Sequence, residues 1–395
     1  MSKRYVYMDY AATTYTKPEV LSEMMPYFGK DFGNPSSVHE YGRVAKKAQE
    51  QARAQIASAI NASQEREIYF TSGGTEADNM AIMGAASASK KGKHIITSSI
   101  EHHAVLHTCQ HMEKLGYDIT YLPVDQYGMV NTEDLKAAIR PDTCLISIMF
   151  ANNEIGTIQP VSEIGKIARE NNIIFHTDAV QAAGHEPIDV QGMNIDMLSM
   201  SAHKFYGPKG IGALYVRKGV RFDNLMFGGA QERNKRPGTD NVPGIVGMAK
   251  ALEIACGHME ENNLRLLEMR SRLKEGIMNS ISDVRLNGHE LKRLSNNLNF
   301  SFSYIEGEAL LLSLDLRGIA ASSGSACTSG SLDPSHVLLA IGLKHETAHG
   351  SLRLTIGDAT TDEDIDYVLS ELPPIVQRLR DMSPLYKETE EKEYV

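Results

Sequence analysis

Lys204 stands in Ser199-Met200-Ser201-Ala202-His203-Lys204-Phe205-Tyr206-Gly207-Pro208, after an apolar run from Ile195 to Met200 and before another from Gly210 to Val216. It falls where a strand ends and a Gly/Pro turn begins, and strand ends are where open α/β sheets bind ligands. A lysine desolvated there drops its pKa and serves as an amine nucleophile or base; in the plainer reading it is a solvated loop residue. Asp178 closes another apolar strand, Ile173-Ile174-Phe175-His176-Thr177. Alone it reads as a helix N-cap for Ala179 onward. Paired with Lys204 it reads better as part of a pyridoxal 5′-phosphate site, where the acid keeps the pyridine nitrogen protonated and the lysine holds the aldehyde.

Other residues point to the same chemistry less sharply. Ser72-Gly73-Gly74-Thr75-Glu76 lies between a strand and a helix, where backbone amides and the Thr75 hydroxyl suit a phosphate; a Gly-Gly turn is the plainer reading. His102, just past a strand, is placed to lie over an aromatic cofactor and move protons. His103, His107 and His111 share one helical face, but no HExxH pattern accompanies them and Cys109 lies off that face, so no metal site is expected. Asn153 and Gln181 offer polar contacts to a ring substituent, or only loop hydrogen bonds. Arg353, flanked by apolar residues, needs an anion: a substrate carboxylate held bidentately, or an internal salt bridge. Cys327 rides in Ser322-Ser323-Gly324-Ser325-Ala326-Cys327-Thr328-Ser329-Gly330-Ser331, small polar residues that expose a thiol and let it swing.

These residues must be positioned by regular elements, and the pattern supplies them. Seven short apolar segments beginning near residues 67, 94, 119, 144, 173, 197 and 211 alternate with helical patterns over about 35–61, 77–86, 104–115, 132–139 and 161–171. That predicts an α/β fold with a mostly parallel seven-stranded sheet covered by helices on both faces. After Pro243 one long helical stretch is expected to about residue 279, followed by a strand over 297–302, a helix over 306–314 and a strand over 352–356, a smaller α+β domain. The expected division is 15–260 for the large domain, with 1–14 and 261–395, including a charged tail, for the small one.

The 395 residues are 42% hydrophobic and 23% charged, with 40 basic against 50 acidic side chains, a net charge of −10. That balance predicts neither nucleic-acid nor membrane binding. No secretory signal and no membrane-spanning stretch is expected, and four scattered cysteines with no C-x-x-C pair predict neither disulfides nor structural zinc. A cytoplasmic protein with reduced thiols is the expectation.

Taken together, the residues resemble a cysteine desulfurase, of the class V aminotransferase group within fold-type I pyridoxal phosphate enzymes. The resemblance runs from Met8-Asp9-Tyr10-Ala11-Ala12-Thr13-Thr14 through Phe32-Gly33-Asn34-Pro35-Ser36-Ser37 to Arg353, and is most specific at Ser201-Ala202-His203-Lys204 and in the Cys327 loop. It implies that Lys204 is the Schiff-base residue and proton shuttle, that His102 stacks on the ring and that Asp178 pairs with its nitrogen. It implies phosphate contacts from Gly74, Thr75, Ser201 and His203, and contacts from Asn153 and Gln181 to the ring hydroxyl or the substrate. Asn34 and Arg353 fall on carboxylate-holding positions. Thr239, in Arg236-Pro237-Gly238-Thr239, matches a threonine that reaches the phosphate of the other subunit, so a homodimer is implied; the family's Arg-Ser-Gly-Thr reads Arg-Pro-Gly-Thr here. Cys327 is implied to take sulfur from L-cysteine as a persulfide and hand it to acceptor proteins such as an iron–sulfur scaffold, with transient contact to an iron–sulfur cluster. A selenocysteine lyase, a transaminase, a non-catalytic sulfur-assembly scaffold and a metal-binding histidine protein are the other readings.

Overall fold

Near-continuous apolar strands need cover on both faces, and the computed structural model, which describes residues 4–323, 334–384 and 386, supplies it. Seven strands form the main sheet: β2 (Ile68–Thr71), β3 (His94–Ser98), β4 (Asp118–Leu122), β5 (Thr143–Ser147), β6 (Ile174–Asp178), β7 (Met197–Ser201) and β8 (Gly212–Val216). Their order is β2-β8-β7-β6-β5-β3-β4, and only β8 runs against its neighbours. The mostly parallel seven-stranded sheet expected from the sequence is therefore present. Side chains alternate across it: Ile96, Ile146, Leu198, Met200 and Tyr215 pack under the Glu40–Ala59, Val161–Glu170 and Val242–Gly257 helices. Ile95, Leu145, Met197 and Leu214 pack on the other face with Met80, Ala81, Val105 and Met112 of the Gly74–Ala88 and His103–Lys114 helices.

A second core gathers around the antiparallel sheet β12-β10-β9, built from β9 (Val284–Leu286), β10 (Asn297–Phe302) and β12 (Ser351–Thr355). Leu273, Phe300, Phe302, Leu310, Leu354 and Val368 fill it, together with Val6 and Met8 from the N-terminal segment. There the short strand β1 (Val6–Tyr7) pairs in parallel with β11 (Ile319–Ala320).

Two elements differ from expectation. The single long helix after Pro243 is two, Val242–Gly257 and Met259–Ser280, because His258 leaves helical geometry (φ −116°, ψ 13°) directly after Gly257, a poor helix former. A 21-residue helix, Asp362–Met382, runs straight through Pro373 and Pro374. Ile365, Val368, Leu372, Ile375 and Val376 recur on its buried face, and Thr361 and Asp364 cap its start reciprocally.

The segment carrying Thr239 is held to the sheet edge by a buried ion pair. Glu232, Arg233 and Asn234 all take left-handed backbone (φ 44°, 58° and 62°), a conformation that non-glycine residues adopt only under constraint. The constraint is Arg53, whose guanidinium grips both Glu232 carboxylate oxygens while Nη1 donates to the Ile68 carbonyl at 2.6 Å. Glu232 Oε2 also accepts the Phe70 N–H at 3.0 Å. Removing one partner leaves an uncompensated buried charge, so Glu232→Ala should lower unfolding free energy by about 3–5 kcal/mol in a denaturant titration. Arg53→Met combined with Glu232→Leu should recover most of that loss.

Candidate active site

Strands β6 and β7 are parallel neighbours whose register pairs Asp178 with Ser199. Their C-terminal ends therefore present Asp178 and the Ala202–Lys204 turn at one edge of the sheet. A cavity of about 370 Å³ opens there, within the usual range of small-molecule and cofactor pockets. Lys204 reaches into it half-buried, with Nζ donating to the Ala11 carbonyl at 2.6 Å and the Ala12 carbonyl at 2.8 Å. Gln181 Nε2 donates to the same Ala11 oxygen at 3.0 Å.

Asp178 is buried and accepts the Val180 N–H at 2.9 Å. Burial raises its pKa to about 6, against the lowering effects of that hydrogen bond and of Lys204. His102 caps the His103–Lys114 helix, its Nδ1 accepting the Ala104 N–H at 3.1 Å. A neutral imidazole that accepts at Nδ1 carries its proton on Nε2. Burial first, then Lys204 and the neighbouring histidines, lower the His102 pKa to about 4.

The Gly74–Ala88 helix begins at the cavity wall with Gly74 and Thr75 lining it, and Gly73 at its N-cap offers no side chain to its amides. Ser201 and His203 line the same cavity. A Cβ on Gly74 would lie 2.6 Å from Val180 Cγ2 in the turn after β6, so any larger residue there must push that side chain aside. His203 is fixed by Thr13 Oγ1, 3.1 Å from its Nδ1, and burial lowers its pKa to about 4. Asn153 and Arg353 close another side. Arg353 donates to the Asn153 carbonyl at 2.8 Å and to Asp9 Oδ1 at 2.9 Å, so the internal ion pair is formed; Arg353 Nε is buried without a hydrogen-bond partner.

Ten of the residues singled out in the sequence thus line one cavity. Asn34 and Thr239 do not, and both are exposed. Cys327 lies outside the described residues, as do residues 387–395 of the charged tail. The chain before the Cys327 segment is tied down where Arg353 N–H donates to the Ser322 carbonyl and Ser351 Oγ to the Ser323 carbonyl at 3.2 Å. After it, Ser335 Oγ donates to Glu154 and His336 Nε2 lies 3.0 Å from the Glu101 carbonyl. Among the described residues no group of three or more potential ligands could hold a metal ion.

Sequence reasoning missed several members of the site. The Ala11 and Ala12 carbonyls carry no side-chain signature, and Met149, Ala151 and Val180, which also line the cavity, read as ordinary apolar residues. Asp78 had a usable signal: it shares the buried face of its helix with Ala81, Ile82 and Ala85, where an acid is out of place.

The sheet, the strand-end lysine and the buried aspartate define a class of protein, and sequence comparison agrees: the chain belongs to the class-V aminotransferase family, whose pattern matches residues 6–368. Its relatives there include cysteine desulfurase IscS of Clostridium botulinum, 61% identical over 386 residues covering 97% of each chain. Cysteine desulfurase IscS of Methanosarcina thermophila is 62% identical over 96% of this chain and 94% of its own. Among solved structures, a NifS-like protein superposes with a TM-score of 0.89 at 39% identity, over 95% of this chain and all of its own. A structure described as SspA in complex with cysteine superposes at 0.79 with 42% identity, over 89% of this chain and 98% of its own.

The cofactor of this family is pyridoxal 5′-phosphate, and the residues present fit it. A buried carboxyl with a raised pKa suits a pyridinium nitrogen, the lysine amine suits an aldehyde, and the uncapped helix start with Ser201 and His203 suits a phosphate. Two measurements follow. In nuclear magnetic resonance of the cofactor-free protein, the His102 ring should stay neutral through the ordinary histidine midpoint near 6.5 and titrate only near 4. Gly74→Ala should overpack the cradle by about 1–3 kcal/mol and weaken pyridoxal phosphate binding about tenfold in a titration of the apoprotein, with circular dichroism unchanged.

Proposed function

We propose that the chain is a cysteine desulfurase that converts L-cysteine to L-alanine and leaves the sulfur on Cys327 as a persulfide. The observation that carries the reading is one cavity lined by the Lys204 amine, the buried Asp178 carboxyl and the neutral His102 ring. Its kinship with cysteine desulfurases over nearly the whole chain supports the same reaction.

Bound through Lys204, the cofactor supplies an electron sink beside the substrate α-carbon. Asp178 would hold the ring nitrogen's proton, and Gly74, Thr75, Ser201 and His203 would hold the phosphate. Lys204 Nζ, once released, takes the proton from the substrate α-carbon and returns one to the product. His102, with its Nε2 proton, would meet the face of the ring and orient the groups that exchange protons there. Arg353 would meet the substrate carboxylate through its unpartnered Nε; Asn34, outside this cavity, is carried as a second contact by the family resemblance alone. Asn153 and Gln181 would contact the ring hydroxyl or the substrate. Cys327 Sγ, as thiolate, attacks the substrate sulfur: an S–S bond forms, the Cβ–S bond breaks, and its electron pair stays with carbon, which is protonated on the way to alanine.

We read residues 15–260 as the large domain and 1–14 with 261–395 as the small one. The chain acts as a homodimer in which Thr239 serves the partner's phosphate site; its exposure outside its own cavity and the Arg236–Glu76 ion pair beside it support this. The persulfide passes to acceptor proteins for iron–sulfur cluster assembly or tRNA thiolation, with Cys327 able to touch a nascent cluster. Free thiols at Cys109, Cys144 and Cys256 support a cytoplasmic setting, and no described helix is long and apolar enough to cross a membrane.

Holoprotein given L-cysteine and a thiol reductant should release alanine and sulfide in equal amounts. Cys327→Ser should abolish sulfide while the cofactor's absorption spectrum stays intact, and Lys204→Ala should abolish both products. Sulfide output from the Cys327→Ser protein equal to wild type would refute the scheme, and a selenocysteine lyase would reject cysteine in the same assay.

A further inference from the structure

A second aspartate lines the cavity. Asp78 lies one turn into the Gly74–Ala88 helix, 1% exposed, and its Oδ1 has no hydrogen-bond partner. The groups facing it come from four directions. Asp178 and His176 come from β6, Ser199 from β7, Glu101 from the turn after β3, and the cavity itself from the open side.

None of these neighbours supplies a positive charge. His176 Nε2 is 3.6 Å from Asp78 Oδ1, but its ring is spoken for by hydroxyls: Nδ1 with Ser147 Oγ at 2.8 Å and Nε2 with Ser199 Oγ at 3.0 Å. Burial lowers the His176 pKa to about 3, so the ring is neutral. Glu101, itself buried, accepts from the Ser98 hydroxyl and the Met149 N–H, and burial raises its pKa to about 8. Burial and then Asp178 push the Asp78 pKa well up, with Glu101 adding to the effect against the Ser199 hydroxyl.

Two carboxyl groups in one low-dielectric pocket do not both ionise. The single charge goes to the member better placed to keep it. Asp178 has the Val180 N–H at 2.9 Å and the attraction of Lys204, while Asp78 has an orphaned oxygen. We propose that Asp78 is a positioning residue, a protonated carboxyl group beside Asp178 that confines the pair's negative charge to Asp178. The proposal rests on the reading of Asp178 as the ring-nitrogen partner and adds that its charge is kept single and local by a neutral acid next to it. A second charge there would spread the field over two sites and draw the ring nitrogen's proton from its partner.

Infrared spectroscopy of cofactor-free protein carrying isotopically labelled aspartate tests the protonation state directly. At neutral pH the wild type should show a protonated-carboxyl C=O band that moves with the label, which separates it from Glu101. The band should persist in Asp178→Asn and vanish in Asp78→Asn. Absence of any labelled band in the wild type would overturn the proposal, and that result needs no variant to fold. Pyridoxal phosphate affinity gives the second readout. Asp78→Asn, a neutral isostere of the protonated acid, should leave it unchanged, while Asp178→Asn should weaken it by about tenfold or more, the equivalent of one pKa unit. An equal loss in both variants would mean that position 78 must be charged, contrary to the proposal. Neither measurement uses cysteine, so failure of the desulfurase reading would show separately, as absent alanine.

Discussion

A lysine amine and a carboxyl group are withdrawn from bulk water at the ends of adjacent strands, and each must be compensated by atoms that the fold brings to it. For Lys204 the compensation is two backbone carbonyls, Ala11 and Ala12. Those carbonyls belong to a segment anchored elsewhere: Val6 and Met8 are buried in the second core, and the Met8 carbonyl accepts the Thr355 N–H of β12 at 2.8 Å. The amine of the large sheet is thus satisfied by chain fixed to the small one. Arg353 of β12 repeats the arrangement in reverse, reaching the Asn153 carbonyl just past β5 and Asp9 of the same N-terminal segment. Separation of the two cores would strand both cations, which gives their relative placement an electrostatic cause beyond apolar contact.

The desolvation that strains the site also sorts its protons. Burial pushes His102, His176 and His203 toward neutrality and pushes Asp178 and Glu101 toward the protonated form. A site with fewer full charges has less to lose when a zwitterionic substrate displaces water. It also leaves the Lys204 amine and the Asp178 carboxyl with little competition for the groups they meet.

Much of this was legible in the sequence because it rests on periodicity and on side-chain chemistry. The apolar runs ending at Met200 and Thr177 placed Lys204 and Asp178 at strand ends, and β10 was located to the residue, Asn297–Phe302. What was hidden involved backbone or context. The Ala11 and Ala12 carbonyls have no residue type to betray them. The Asp362–Met382 helix was obscured by Pro373 and Pro374, whose local preference against helix is outweighed by five buried apolar side chains on one face. The break at His258 was invisible because apolar spacing continues on both sides of it, and only Gly257 hints at the stop.

The two anchors around the Cys327 segment show how the fold can serve a reaction with two separate demands. At one anchor Ser322 and Ser323 accept hydrogen bonds from β12, the strand of Arg353, which is the residue proposed for the substrate carboxylate. The other, Ser335 and His336, grips Glu154 and Glu101, the immediate neighbours of Asn153 and His102 in the chain. Arg353, Asn153 and His102, the residues proposed to meet substrate and ring, are therefore themselves, or stand next to, the residues that bond the chain on either side of residues 324–333. The described chain on both sides of residues 324–333 is thus bonded to the strands and turns that carry the cavity-lining residues.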